Sequence, residues 1–154
     1  MQLDRKDFAL ISALQDDASK RLEDLARIVG MAPSSVHERL RRLKSAGVIR
    51  RWTIDCDEAA LGRPLLAFVG VRSTRPCAAL RPALEAIRAI EECHSVAGNL
   101  SMLLKVRVED SMALMALVEQ VRGIPGVDAT ETMVALATQF ARPCAPRAEL
   151  SAMT

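Results

Sequence analysis

Residues 22–54 read LEDLARIVGMAPSSVHERLRRLKSAGVIRRWTI, and this stretch decides the N-terminal fold. Leu22, Leu25, Ala26 and Val29 stand at i, i+3, i+4 and i+7, along one face of a short helix that Gly30 ends. Pro33 suits the first turn of a following helix, because the N–H it lacks is one that turn leaves unpaired in any case. Val36, Leu40 and Leu43 form the apolar stripe of that helix and Gly47 closes it. Ala26, Gly30 and Val36 thereby take the spacing of a helix-turn-helix: a small residue where the helices touch, a turn residue able to go left-handed, and a buried aliphatic on the second helix. With that stripe inward, a helix of about 3.6 residues per turn faces Ser34, Ser35, Glu38, Arg41 and Arg42 outward, with His37 and Arg39 on the flanks.

The outward face is chemically suited to a DNA groove. Between Pro33 and Ile54 the cations are Arg39, Arg41, Arg42, Lys44, Arg50 and Arg51 and the only acid is Glu38, on a chain whose formal net charge is just +2. Ser34 and Ser35 can donate to phosphate or base edges, and Arg41 and Arg42 can reach phosphates or the guanine edge. Glu38 stands three and four residues before Arg41 and Arg42, so it can equally be their solvated partner. Val48 to Ile54 is rich in β-branched residues and predicts a strand, on which Arg50 and Arg51 suit a wing or edge contact to phosphate.

Upstream, Asp4 predicts an N-cap with Asp7 three residues on, and Phe8, Ile11 and Leu14 carry a first helix to about Asp16. Downstream, Asp55 to Pro64 starts acidic and ends with Gly62 and Pro64, as a linker does. The pattern beyond it predicts strands over Leu65 to Val71, Glu92 to Ala97, Met102 to Val108 and Val127 to about Thr138. Helices are expected over Pro82 to Ile90 and after a cap at Asp110 or Ser111, and Gly98 to Ser101 forms the turn between the middle strands. The order is βαββαβ, a ferredoxin-like α+β domain whose helices cover one sheet face. Leu66 and Phe68 point opposite to Leu65, Ala67, Val69 and Val71, so the first strand is apolar on both faces and a partner subunit is expected against the second. The expected division is 1–54 for DNA binding, 55–64 for the linker, 65–140 for oligomerisation and 141–154 for a tail or short terminal helix.

Other classes find little support. No apolar run approaches the roughly 20 residues of a membrane span, and the first residues carry charges throughout, so a cytoplasmic protein is expected. Cys56, Cys77, Cys93 and Cys144 are scattered without a CxxC pair, which predicts reduced thiols and neither a zinc site nor a disulfide framework. No catalytic triad, phosphate-binding glycine loop or cofactor motif stands out.

The runs LDRKDFALISALQDD and LARIVGMAPSSVHERLRRLKSAGVIRRWTI closely resemble the DNA-binding half of the Lrp/AsnC regulators. CHSVAGNLSMLLKV and GVDATETMVAL resemble the glycine-turn strand pair and the final strand of that family's regulatory domain. The resemblance implies a winged helix-turn-helix domain that binds double-stranded DNA. It also implies a second domain that dimerises through its sheets, associates into tetramers or octamers, and often binds an amino acid at the interfaces.

This chain departs from the family at identifiable places. Arg21 and Ala32 occupy helix N-caps where the family usually has Ser. The glycine turn, commonly close to GDYDY, here reads Gly98, Asn99, Leu100, Ser101 and Met102, without the acids and aromatic rings. A plain β-turn without ligand is therefore one expectation. The other is an effector held at Gly98 to Met102 and Thr132, a small apolar amino acid such as leucine or methionine rather than an acidic or strongly cationic one. Two further readings share the fold: an architectural nucleoid-like protein, and a sirohaem-decarboxylase-like enzyme. Against the enzyme, the chain has no Tyr, and His94 is followed by Ser95 where those enzymes carry a His-Asn-Tyr-like segment.

Overall fold

The computed structural model describes residues 2–144 and divides into two compact units. The first runs to Asp55 and takes the chain up again at Phe140; the second is Cys56–Gln139. Of the expected tail, residues 141–144 have no regular structure and residues 145–154 lie outside the described ones.

Helix α1 (Arg5–Asp16) opens on a reciprocal capping box, in which the Asp4 carboxylate accepts from the Asp7 N–H at 2.8 Å and Asp7 accepts from the Asp4 N–H at 3.1 Å. Helix α2 (Leu22–Val29) ends at Gly30, whose φ of 59° is the left-handed turn that glycine takes without strain. Helix α3 (Pro33–Ser45) starts on its proline. The three pack through Leu10, Leu14, Leu25, Ala26, Val29 and Val36, with Leu40 partly buried at the edge. Arg21 and Ala32 cap α2 and α3 without a side-chain hydrogen bond.

The expected strand over Val48 to Ile54 is not formed. A strand exists only through a neighbour's ladder, and among the described residues none pairs with this one. Instead the segment walls a groove whose other side is Ile11 and Leu14, leaving Trp52 48% and Ile54 82% exposed.

The second unit is β1 (Leu65–Ser73), α4 (Cys77–Glu85), β2 (Ile90–Ser95), β3 (Met102–Val108), α5 (Ser111–Arg122) and β4 (Val127–Val134). All pairs are antiparallel in the order β2-β3-β1-β4, the ferredoxin-like arrangement. Ala67, Val69, Val71, Met102, Leu104 and Val106 meet Leu80, Leu84, Leu114, Leu117 and Val121 of the two helices in one core. The cap of α5 is Asp110, which accepts from the Ala113 N–H. Helix α4 lies earlier than the expected Pro82 to Ile90: it starts after Pro76 and contains Pro82. The proline cannot supply the interior N–H, yet the helix persists only to Glu85, about one turn further. Strand β2 accordingly begins at Ile90 rather than Glu92 and ends at Ser95 rather than Ala97, and β4 stops at Val134 short of Thr138.

Candidate nucleic-acid interface and effector turn

Helix α3 turns Ser34, Ser35, His37, Glu38, Arg41 and Arg42 outward, while Arg39 and Leu40 are half-buried and Val36 and Leu43 fully buried. The arginines then divide by task. Asp7 is the one buried charged residue among the described residues, and Arg39 reaches it at 2.7 Å while Arg42 spans both its oxygens at 2.8 and 2.9 Å. Arg39 also binds Asp4 at 2.7 Å. A buried carboxylate needs such partners, because its desolvation is otherwise uncompensated. Arg39 and Arg42 therefore bind α3 to the start of α1.

Arg41 extends outward, and among the described residues it pairs with the exposed Glu38 at 2.8 Å. That hydrogen bond holds the Glu38 carboxyl below its ordinary range and raises the Arg41 guanidinium. Exposed pairs of this kind are weakly held, so the guanidinium can exchange Glu38 for a phosphate. Lys44, Arg50 and Arg51 are exposed, and among the described residues no carboxylate lies within ion-pair distance of them. Ser34 and Ser35 occupy the first turn of α3 and are exposed, so their hydroxyls face outward, while the Ser35 N–H already donates to Ala32 O at 3.0 Å. These groups all lie at the surface of the first unit.

In the second unit, Gly98 has a φ of 128°, a conformation that favours glycine, and it is exposed together with Asn99. Leu100 folds back over Gly70 of β1 so closely that a β-carbon there would sit 2.6 Å from Leu100 Cδ1. Ser101 is tied to β1: its N–H donates to Val71 O at 2.8 Å, and its hydroxyl accepts from the Ser73 N–H at 3.1 Å. Met102 is 1% exposed and belongs to the helix-covered core. Thr132 pairs with Val69, so it shares the helix-covered face, whereas Leu100 covers Gly70 on the other. Within one protomer the turn and Thr132 thus lie on opposite faces of the sheet. That other face carries Leu66, Phe68, Leu103 and Met133 together with Lys105, Arg107 and Glu131, with neither α4 nor α5 over it.

Sequence reasoning placed the outward face of α3 but missed the buried Asp7 and its two arginines. It also missed the charge network of β2 and β3. There Lys105 meets Glu91 at 3.3 Å and Glu92 at 3.0 Å, and Arg107 meets Glu58 at 2.9 Å and Glu91 at 3.0 Å. His94 beside Glu92, helped by Lys105, holds that carboxyl below its ordinary value. The alternation of charge on facing strands was the available signal.

Two family models match the chain: a winged helix-turn-helix DNA-binding domain over residues 3–50, and the Lrp/AsnC ligand binding domain over residues 66–143. The HTH-type transcriptional regulator FL11 of Pyrococcus horikoshii is 34% identical over 137 residues, covering 88% of this chain and 91% of its own. The leucine-responsive regulatory protein of Escherichia coli K12 is 34% identical over 139 residues, covering 87% and 85%. Among solved structures, the feast or famine regulatory protein of M. tuberculosis complexed with L-methionine superposes with a TM-score of 0.88 at 34% identity, over 94% of this chain and all of that one.

Proposed function

The chain belongs to the Lrp/AsnC family of transcription regulators, and we propose that it holds double-stranded DNA through Ser34, Ser35, His37 and Arg41 of α3 with Arg50 and Arg51 of the following segment. The observation that carries this reading is the division among the cations. Arg39 and Arg42 are engaged by the buried Asp7, which orients α3, while Arg41, Lys44, Arg50 and Arg51 stand outward on one basic stretch. Phosphate contacts from Arg50 and Arg51 fix the register, and Arg41 with the serines reads base edges.

The working form is a homo-oligomer, a dimer at least, with tetramers or octamers built from it. The apolar residues Leu66, Phe68, Leu103 and Met133 support this, since neither α4 nor α5 covers them. Two-fold symmetry then presents two α3 helices to a pseudo-palindromic site. The effector is a small apolar amino acid at the Gly98 to Ser101 turn, where the backbone N–H groups before Ser101 hold the carboxylate and Leu100 supplies apolar contact. Met102 supports the turn from within the core, and Thr132 reaches such a ligand only from a neighbouring copy. The L-methionine complex of the M. tuberculosis relative supports this ligand class.

The test is selection of bound genomic fragments with and without a pool of amino acids. A recurring short inverted repeat, displaced or redistributed by leucine or methionine, is the expected result. Retention of fragments without any shared sequence favours the architectural reading instead.

A further inference from the structure

Cys77 and Cys93 are 16 positions apart and belong to no sequence motif, yet both line one cavity of about 520 Å³ between the start of α4 and the β2–β3 edge, with Met102 in the same wall. The topology places the three sulfur-bearing residues around this one cavity. Cys93 pairs with Leu104 and Ser95 pairs with Met102, so Cys93 and Met102 are diagonal neighbours on the helix-covered face. Cys77 opens α4, and its thiol donates to Ser101 O at 3.5 Å, the residue before Met102. Cys77 is part-buried and Cys93 exposed, so the cavity is open to small solutes.

We propose that this cavity binds a soft monovalent closed-shell cation, copper(I) or silver(I), through the thiolates of Cys77 and Cys93 with the Met102 thioether as third ligand. Donor chemistry selects the class. Thiolate and thioether sulfur favours copper(I) over harder ions. Structural zinc takes four nitrogen, sulfur or oxygen ligands, and among the described residues no group of three His, Cys, Asp or Glu is placed to hold a metal ion. A two-thiolate site is complete for a low-coordinate cation.

Each thiol releases its proton to solvent as its sulfur–metal bond forms, leaving a cation between two thiolates and one net negative charge. Burial pushes the Cys93 thiol up, Cys77 beside it adds to this and Arg81 opposes it, so the bond to the metal has to supply the free energy of that deprotonation. The acids of the wall are already engaged, Glu85 by Arg81 and Glu91 and Glu92 by Lys105. Because Cys77 holds Ser101 and Met102 follows it, an occupied site bears directly on the Gly98 to Ser101 turn.

The test titrates the full-length protein with copper(I) under anaerobic conditions against a chromophoric copper(I) chelator, then alkylates the thiols and maps them by mass spectrometry. The parent should withdraw one equivalent per chain and protect Cys77 and Cys93 while Cys56 is labelled. Cys77→Ser with Cys93→Ser should lose the equivalent, Cys56→Ser with Cys144→Ser should keep it, and Met102→Leu should weaken it with both thiols still protected. The proposal falls if the chelator retains the metal, if the Cys56, Cys144 variant is the one that fails, if Met102→Leu binds like the parent, or if zinc(II) displaces copper(I) at parity.

Discussion

Asp7 shows how one side chain ties the two ends of the DNA-binding unit together. Its carboxylate, with no exposed surface, closes the α1 capping box and accepts from Arg39 and Arg42 of α3. Replacing Asp7 by Ala should destabilise the protein by roughly 1.5–3 kcal/mol, the worth of hydrogen bonds to a charged group, discounted because the two arginines can turn to water. Removing both arginines strands the carboxylate and should cost more, about 3–5 kcal/mol. Arg41→Ala should leave the urea midpoint unmoved, and urea melts of the three variants check the ranking. Acid dependence follows from Asp4, whose pKa is lowered by the Asp7 N–H and by Arg39. A depressed folded pKa contributes stability that is complete above the usual carboxylate value, about 3.9, and is lost as pH falls through the folded one. Asp4→Asn keeps an N-cap acceptor but removes that titration, so its loss of stability between pH 5 and 2 should be shallower than the parent's. The cap itself was legible because Asp4 and Asp7 are three residues apart. Their arginine partners lie 32 to 35 positions further on, where no local period points back to them.

The elements were legible where the period was local and uninterrupted. The stripes of α2 and α3 and the strict alternation of β3, buried at Met102, Leu104, Val106 and Val108, fall where the pattern placed them, whereas α1 buries Leu10 and Leu14 and leaves the expected Phe8 and Ile11 half-buried outside the core. Helix α4 was displaced because a proline at Pro82 reads as a helix start, whereas the turn after Pro76 already begins it. Val48 to Ile54 has strand composition, but composition does not supply a ladder. Two substitutions test element-level packing. Ala32→Ser gives α3 the N-cap acceptor it lacks and should stabilise by about 1 kcal/mol in a thermal or urea melt. Gly70→Ala drives a β-carbon into Leu100, so it should destabilise the second unit and shift the amide resonances of Gly98 to Ser101. Adding Leu100→Ala should recover part of that loss. Equal losses with and without Leu100 would show that the turn does not rest on β1.

For the whole molecule, the sequence made both domain types and their chemistry legible, since each carries its own periodic core. What it could not supply was which of six neighbouring cations remain available to a ligand, because that depends on one buried aspartate. The sheet face opposite α4 and α5 belongs to this scale as well. Phe68→Lys places a second cation opposite Lys105 and among Leu66, Leu103 and Met133, and should shift sedimentation from dimer or larger to monomer, weakening DNA binding by uncoupling the two half-sites. A variant that sediments like the parent would put the interface elsewhere. The central claim is that DNA is held by Arg41, Arg50 and Arg51 while Arg39 and Arg42 hold the fold. The most direct measurement is DNA affinity across a salt series for the parent and the Arg41→Ala, Arg50→Ala, Arg51→Ala variants, singly and combined, with urea melts alongside. Each phosphate contact removed should lower the slope of log affinity against log salt by about one, and the triple variant should lose binding at moderate salt with its melt unchanged. A triple variant that binds as the parent does, with the parent's salt slope, would contradict the account.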